Sequence, residues 1–170
     1  MTAVPSPLPS APRAASGLYT PDERARRDAT RWTLVQGVLA PLQFLVMGVS
    51  VVLVVRTLRT GEGLWWAHAS VLLKTLVLYA IMVTGAIWEK VVFGQYLFAR
   101  PFFWEDVVSM GVIALHTAYV VGLWAGWPPR SLLALALVAY AAYAVNAIQF
   151  LLKLRAARLQ EAAAAAGRVR

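Results

Sequence analysis

The sequence predicts an all-α integral membrane protein of four transmembrane helices with both termini in the cytoplasm, and three observations predict it. First, 60% of the 170 residues are apolar and only 14% are charged, whereas soluble domains carry about one quarter charged residues. Second, four apolar stretches reach or exceed the ~20 residues that cross a bilayer's hydrocarbon. Third, twelve Lys and Arg residues fall on one side of those stretches, against Arg56, Arg59 and Arg130 on the other. The positive-inside rule places the richer side in the cytoplasm. A soluble fold of this length would still expose roughly 30% of its unfolded-state surface, too much to hide runs of this size.

There is no cysteine, so disulfides, thiolate metal sites and a Cys nucleophile are excluded. The net charge of +8 sits beside apolar segments rather than in a soluble basic patch. It fits anionic lipid headgroups and not nucleic acid.

Residues 1–18, rich in Pro, Ala and Ser with one charge at Arg13, read as a disordered tail and lack the pattern of a secretory signal. A membrane domain over 19–158 follows, with a tail over 159–170. Order begins at Thr20-Pro21-Asp22-Glu23, where Thr20 as N-cap, Pro21 in the first helical position and Glu23 at the third make a capping box. A charged amphipathic helix runs from there through Arg31. The first span covers 32–58, with Pro41 inside it. After Thr60-Gly61-Glu62-Gly63 the second covers 64–88, opened by the interfacial pair Trp65-Trp66 and containing Lys74. Residues 89–105 form an aromatic surface loop. The third span, 106–126, contains His116. Trp127-Pro128-Pro129-Arg130 turns into the fourth, 131–152, which Lys153, Arg155 and Arg158 stop. No internal repeat is present, which argues against a transporter built from paired halves.

A charge at the bilayer centre costs roughly 2.5–3.5 kcal/mol even on lenient insertion scales, so Lys74 and His116 each ask for a reason. Helical spacing aligns Trp32, Gln36, Leu39 and Gln43 on one stripe of the first span, and Asp106, Ser109, Ile113 and His116 on one of the third. Tyr143, Asn146, Gln149 or Phe150, and Lys153 form another on the fourth. With Trp88 and Glu89, these polar groups converge on a cavity open to the cytoplasm. Interhelical packing is the alternative role for Gln36, Gln43, Ser109 and Asn146, and helix flanking the alternative for Glu89, Glu105 and Asp106. His68, near the far interface, needs neither partner nor function.

The strings from Leu78 through Trp88-Glu89-Lys90, Phe93-Gly94-Gln95-Tyr96-Leu97-Phe98-Ala99, and Phe102-Phe103-Trp104-Glu105-Asp106 on to Leu115-His116-Thr117 resemble the 3-vinyl bacteriochlorophyllide hydratase family. The resemblance extends upstream through Asp28 to Gln36 and back to Tyr19, and downstream to about Arg158. It implies addition of water to the C3-vinyl group of a magnesium (bacterio)chlorophyllide a, giving a 1-hydroxyethyl group on the way to bacteriochlorophyll a. It implies a multi-pass protein of a bacterial inner membrane, cytoplasmic or intracytoplasmic, whose partners are pigment, water and lipid, with room for an oligomer. No redox cofactor is called for, and the only metal is the substrate's own magnesium.

The resemblance carries no catalytic set, so candidates come from the chemistry. Hydration needs an acid to protonate the terminal vinyl carbon and a base to deprotonate water. A carboxyl in an aromatic setting, Glu105, Asp106 or Glu89, is the expected acid. His116 is the candidate base or, alternatively, the ligand of the substrate's magnesium. Ten residues of helix, ~15 Å, separate it from Asp106. Trp88, Phe103 and Trp104 would stack on the macrocycle, Gln36, Gln43, Tyr143 and Asn146 would line its site, and Lys90 or Arg100 would pair with its propionate or, alternatively, with lipid phosphate. The rival reading is a non-enzymatic chlorophyllide carrier or assembly factor.

Overall fold

Thr20 opens the first helix as its spacing predicts. In a computed structural model that describes residues 18–167, its Oγ1 accepts the Glu23 N–H at 3.3 Å, while the Glu23 carboxylate accepts the Thr20 N–H at 2.7 Å. The segment expected as a disordered tail thus lies, but for Leu18, outside the described residues. Helix α1 spans Pro21–Ala29 and stops short of Arg31. Thr30 is extended, and its hydroxyl accepts the Trp32 N–H that starts α2 at once. That one-residue break swings α1 across the end of α3, where the Arg26 Nε–H donates to the Val92 carbonyl at 2.8 Å.

Four long helices follow: α2 (Arg31–Thr60), α3 (Leu64–Phe93), α4 (Phe103–Trp124) and α5 (Pro129–Gly167). Each is long and apolar enough to cross a membrane, and only 17–39% of the most apolar window of each is buried within the protein. Leu34, Leu45, Val52, Leu76, Val83 and Val121 are exposed, as hydrocarbon-facing side chains must be. α2 runs unbroken through Pro41 and closes at Gly61, whose φ of 76° supplies the left-handed cap. α3 continues to Phe93, so Glu89 and Lys90 belong to its last turns and the connection shrinks to residues 94–102. α4 begins three residues earlier than its apolar run suggests, and α5 passes the basic residues that end the fourth apolar run.

α2 packs along α3 and α4 along α5, and the two hairpins meet over a smaller surface. Their contact is closest at the Gly61 and Gly126 end, where Val54, Ala67, Val71, Tyr119, Leu132 and Tyr140 form a buried cluster. Hydroxyl groups cross-link it: Ser50 meets Ser70 at 2.8 Å and Tyr140 at 2.6 Å, and His68 Nδ1 meets the Tyr119 hydroxyl at 2.5 Å. His68 is therefore half-buried and partnered rather than an idle interfacial residue. Its bond to the Tyr119 hydroxyl joins α3 to α4.

The α4–α5 turn depends on a missing side chain. A Cβ on Gly122 would lie 2.6 Å from Trp127 Cε3 and 2.8 Å from Cδ2, while the Trp127 N–H donates to the Gly122 carbonyl at 2.9 Å. We predict that Gly122→Ala destabilises the protein by about 1–3 kcal/mol through overpacking, read as a lower thermal midpoint in detergent. Gly48→Ala, whose Cβ would meet nothing within 4 Å, should leave the midpoint in place.

Candidate active site

Toward the end covered by α1 the hairpins part and leave a chamber of about 540 Å³, within the about 300–1,000 Å³ of typical ligand pockets. Its walls are mainly apolar, with Ala40, Phe44, Ile81, Met82 and Val112 among them. Trp88 and Phe102 meet edge to face at 5.8 Å, and Phe102 stacks on Phe150 at 5.8 Å.

Into this apolar wall project two acids. Glu89, in the last turns of α3, and Asp106, in the first turn of α4, both line the chamber and lie close enough to interact. Two carboxyls this close in an apolar wall favour sharing one proton, so that one member can donate and the other accept. The loop holds both: the Phe98 N–H donates to Asp106 Oδ2 at 2.7 Å and the Ala99 N–H to Glu89 Oε2 at 3.1 Å. Phe98 adopts φ 60° to do so, a left-handed conformation that costs a non-glycine residue of order 1–3 kcal/mol. The strain aims two successive amides at the two acids, one from each helix.

Glu105 does not join them. Neighbours on a helix point about 100° apart, so with Asp106 facing the chamber Glu105 faces α5. There its Oε2 accepts from Lys153 Nζ at 2.6 Å, and Lys153 also donates to the Pro101 carbonyl. Phe103 and Trp104 stand edge to face at 5.4 Å on the exposed outer side, so of this aromatic run Phe102 is the one that reaches the chamber. Lys90 curls back to the Gly94 carbonyl at 2.7 Å and lies over the Tyr96 ring, away from the lining.

His116 lies outside the chamber. It is fully buried, its Nδ1 meets the Val112 carbonyl at 2.9 Å, and its Nε2 has no hydrogen-bond partner. The reason is steric: Leu78, Val112 and Tyr143 form a cluster that closes the chamber above it. A base or a magnesium ligand at the chamber wall must reach that wall, and this imidazole does not. Gln43 lies outside too, spent on Lys74, whose ammonium donates to Gln43 Oε1 and lies 3.7 Å from the Tyr143 ring centre. The Gln43 Nε2 donates to the Val77 carbonyl at 3.1 Å. Among the described residues those contacts, and no carboxylate, answer the buried charge.

Gln36, Tyr143 and Asn146 do line the chamber. Gln36 bonds Thr84 at 2.8 Å, joining α2 to α3. Asn146 donates to Ser109 Oγ at 2.7 Å, and its Oδ1 is buried without a partner. Ser109, on the predicted polar stripe with packing as its alternative role, is one turn below Asp106 on the same face and also lines the chamber. Sequence reasoning missed Tyr19, Arg27, Phe102 and Arg158, all on the lining. Of these only Phe102 carried a signal, its place in the aromatic run.

Comparison with known proteins then adds a family. Residues 19–156 match the family model described as 2-vinyl bacteriochlorophyllide hydratase. The chain is 65% identical over 162 residues to the 2-vinyl bacteriochlorophyllide hydratase of Rhodobacter capsulatus, covering 94% of this chain and 95% of that protein. It is 65% identical over 156 residues to the protein of the same name from Cereibacter sphaeroides, covering 92% and 96%. No solved structure matches at a significant level.

The loop clip has a measurable consequence. Asp106→Ala removes the acceptor of the Phe98 amide and should speed hydrogen exchange across residues 94–102 by about tenfold or more, the effect of a lost bond of roughly 1–3 kcal/mol. Asp106→Asn keeps an oxygen there and should keep the protection. Equal exchange in both variants would show that the loop holds its shape unaided.

Proposed function

The chain belongs to the 2-vinyl bacteriochlorophyllide hydratase family, and on that footing we propose that it adds water to the vinyl group of a (bacterio)chlorophyllide a. The substituent called 2-vinyl in the older ring numbering is the C3-vinyl of the newer one, and the product carries a 1-hydroxyethyl group there. The enzyme is a hydro-lyase. The observation that carries the mechanism is the Glu89–Asp106 pair on the wall of an apolar chamber.

Hydration acts on two adjacent carbons, so acid and base must lie side by side. The protonated member of the pair gives its proton to the terminal vinyl carbon. Positive charge then develops on the carbon next to the ring, where the conjugated macrocycle spreads it. Water attacks that carbon and loses a proton to the carboxylate member, which restores the pair with one proton. The sum is one water added, with no change of oxidation level, so the reaction needs no redox cofactor. Asn146 Oδ1 and Ser109 are placed to hold the attacking water, since a buried acceptor without a partner calls for a donor. Trp88 and Phe102 offer faces and edges to the flat ring.

The excess of Lys and Arg near the termini supports a cytoplasmic position for both of them. The chamber then opens at the cytoplasmic face of a bacterial inner membrane, where an amphiphilic pigment enters along the lipid boundary.

The test is incubation of the purified protein with 3-vinyl chlorophyllide a, or its bacteriochlorin counterpart, without added cofactor. The expected product has gained the mass of one water. Glu89→Gln and Asp106→Asn should each lower the rate by about 10²–10⁴-fold. Glu105→Gln and His116→Gln, whose side chains lie off the chamber, should retain most of it. Tight pigment binding with no gain of water would sink the enzymatic reading and leave a carrier.

A further inference from the structure

The hydration step leaves two chamber residues without a task. Among the described residues, Arg27 of α1 and Arg158 of α5 are the two basic side chains on the lining, reaching it from different elements. Neither lies within the apolar runs themselves. The break at Thr30 and the Arg26–Val92 bond lay α1 over the end of α3, and Arg158 is carried by the part of α5 that continues beyond the fourth apolar run. The Arg27 guanidinium lies over the Tyr19 ring, 4.7 Å from its centre, and its Nε–H donates to Asp28 at 2.8 Å.

A planar guanidinium on the rim of an apolar chamber selects an amphiphile with one flat apolar body and one carboxylate or phosphate. On the hydratase reading, on which this inference rests, the ligand has one such group. Its free propionate sits on the pyrrole ring next to the one that bears the vinyl group. Glu89 lies four residues before the end of α3 and Asp106 in the first turn of α4, so the acid pair is only about 6 Å of helix from the chamber's outer end. Carboxylate and vinyl group can therefore both face the rim while the opposite edge of the macrocycle goes inward to Phe44, Leu78 and Val112.

We propose that Arg27 and Arg158 form a carboxylate subsite that binds the pigment's free propionate, orients the vinyl group toward Glu89 and Asp106, and makes the enzyme select free-acid pigments over their esters. The two arginines are binding and positioning residues, and their signature lies in which substrate is accepted.

The experiment compares 3-vinyl chlorophyllide a with its methyl ester, measuring both binding, by pigment absorbance and fluorescence, and hydration, by product mass. The wild-type protein in nanodiscs is expected to favour the acid by about tenfold to a hundredfold, the worth of one charged hydrogen-bonded contact. In the Arg27→Gln/Arg158→Gln protein that ratio should fall to about one, through KM rather than kcat. Should the double variant fold poorly, Arg158→Gln alone, an exposed site on α5, is expected to lower the ratio part of the way. Equal use of acid and ester by the wild type would overturn the subsite, as would an undiminished ratio in the variants. Loss of binding to nanodiscs rich in anionic lipid with the acid preference intact would give the arginines to headgroups and overturn it too. Selective binding of the acid without any product would instead keep the subsite and refute the hydratase reading.

Discussion

A bilayer gives helices no hydrophobic reason to pair, because lipid tails are as apolar as leucine side chains. The buried polar contacts between helices therefore decide how this bundle is assembled. Lys74 is the most demanding of them. An ammonium near the middle of α3 must find partners inside the protein, and it finds the Gln43 amide and the face of Tyr143. Those two contacts fix the rotation of α2 against α3 and draw α5 in against both. In the same arrangement Gln36 meets Thr84, Ser50 meets Tyr140, and the hairpins part into a chamber toward the α1 end.

The acid pair is the second demand, and the loop between α3 and α4 is shaped by it. Two carboxyls facing each other in an apolar wall need donors, and the amides of Phe98 and Ala99 supply them at the cost of one left-handed residue. Strain of this kind persists only where the surroundings over-determine it. Here Gly94 turns the chain, Phe102 packs into the aromatic cluster with Tyr19 and Trp88, and Lys153 holds Glu105 and Pro101 from the α5 side. The loop is better described as a fitting around Glu89 and Asp106 than as a connection that happens to contain aromatic residues.

Membership of a hydratase family and the geometry of the pair meet at one chemical requirement. Addition of water to adjacent carbons calls for two proton-transfer groups within reach of the same bond; Glu89 and Asp106 lie together on the chamber wall, whereas Asp106 and His116 are about 15 Å of helix apart. His116 keeps an unpartnered Nε2 beneath the cluster of Leu78, Val112 and Tyr143. It lies close to Tyr140 and joins the buried polar layer of the bundle rather than the chamber.

Much was legible in the sequence by itself, because it is written in local terms. Span number and approximate length follow from apolar runs, the start of α1 from Thr20 and Glu23, and the polar stripes of α2, α4 and α5 from the helical period. That period also placed Asp106 and Asn146 correctly on chamber-facing sides. What only the tertiary structure decided are relations between helices. Asp106 pairs with Glu89 and Glu105 with Lys153 because adjacent residues on α4 diverge by about 100°, and nothing local says which of the two faces inward. The stripe that carries Asp106 continues to His116, but the chamber does not, since a cluster from three helices closes it. Arg27 reaches the rim because one extended residue, Thr30, redirects α1. Periodicity reports which side chains share a face. It cannot report what that face meets, which depends on how each helix is rotated and where each loop sets the next one down.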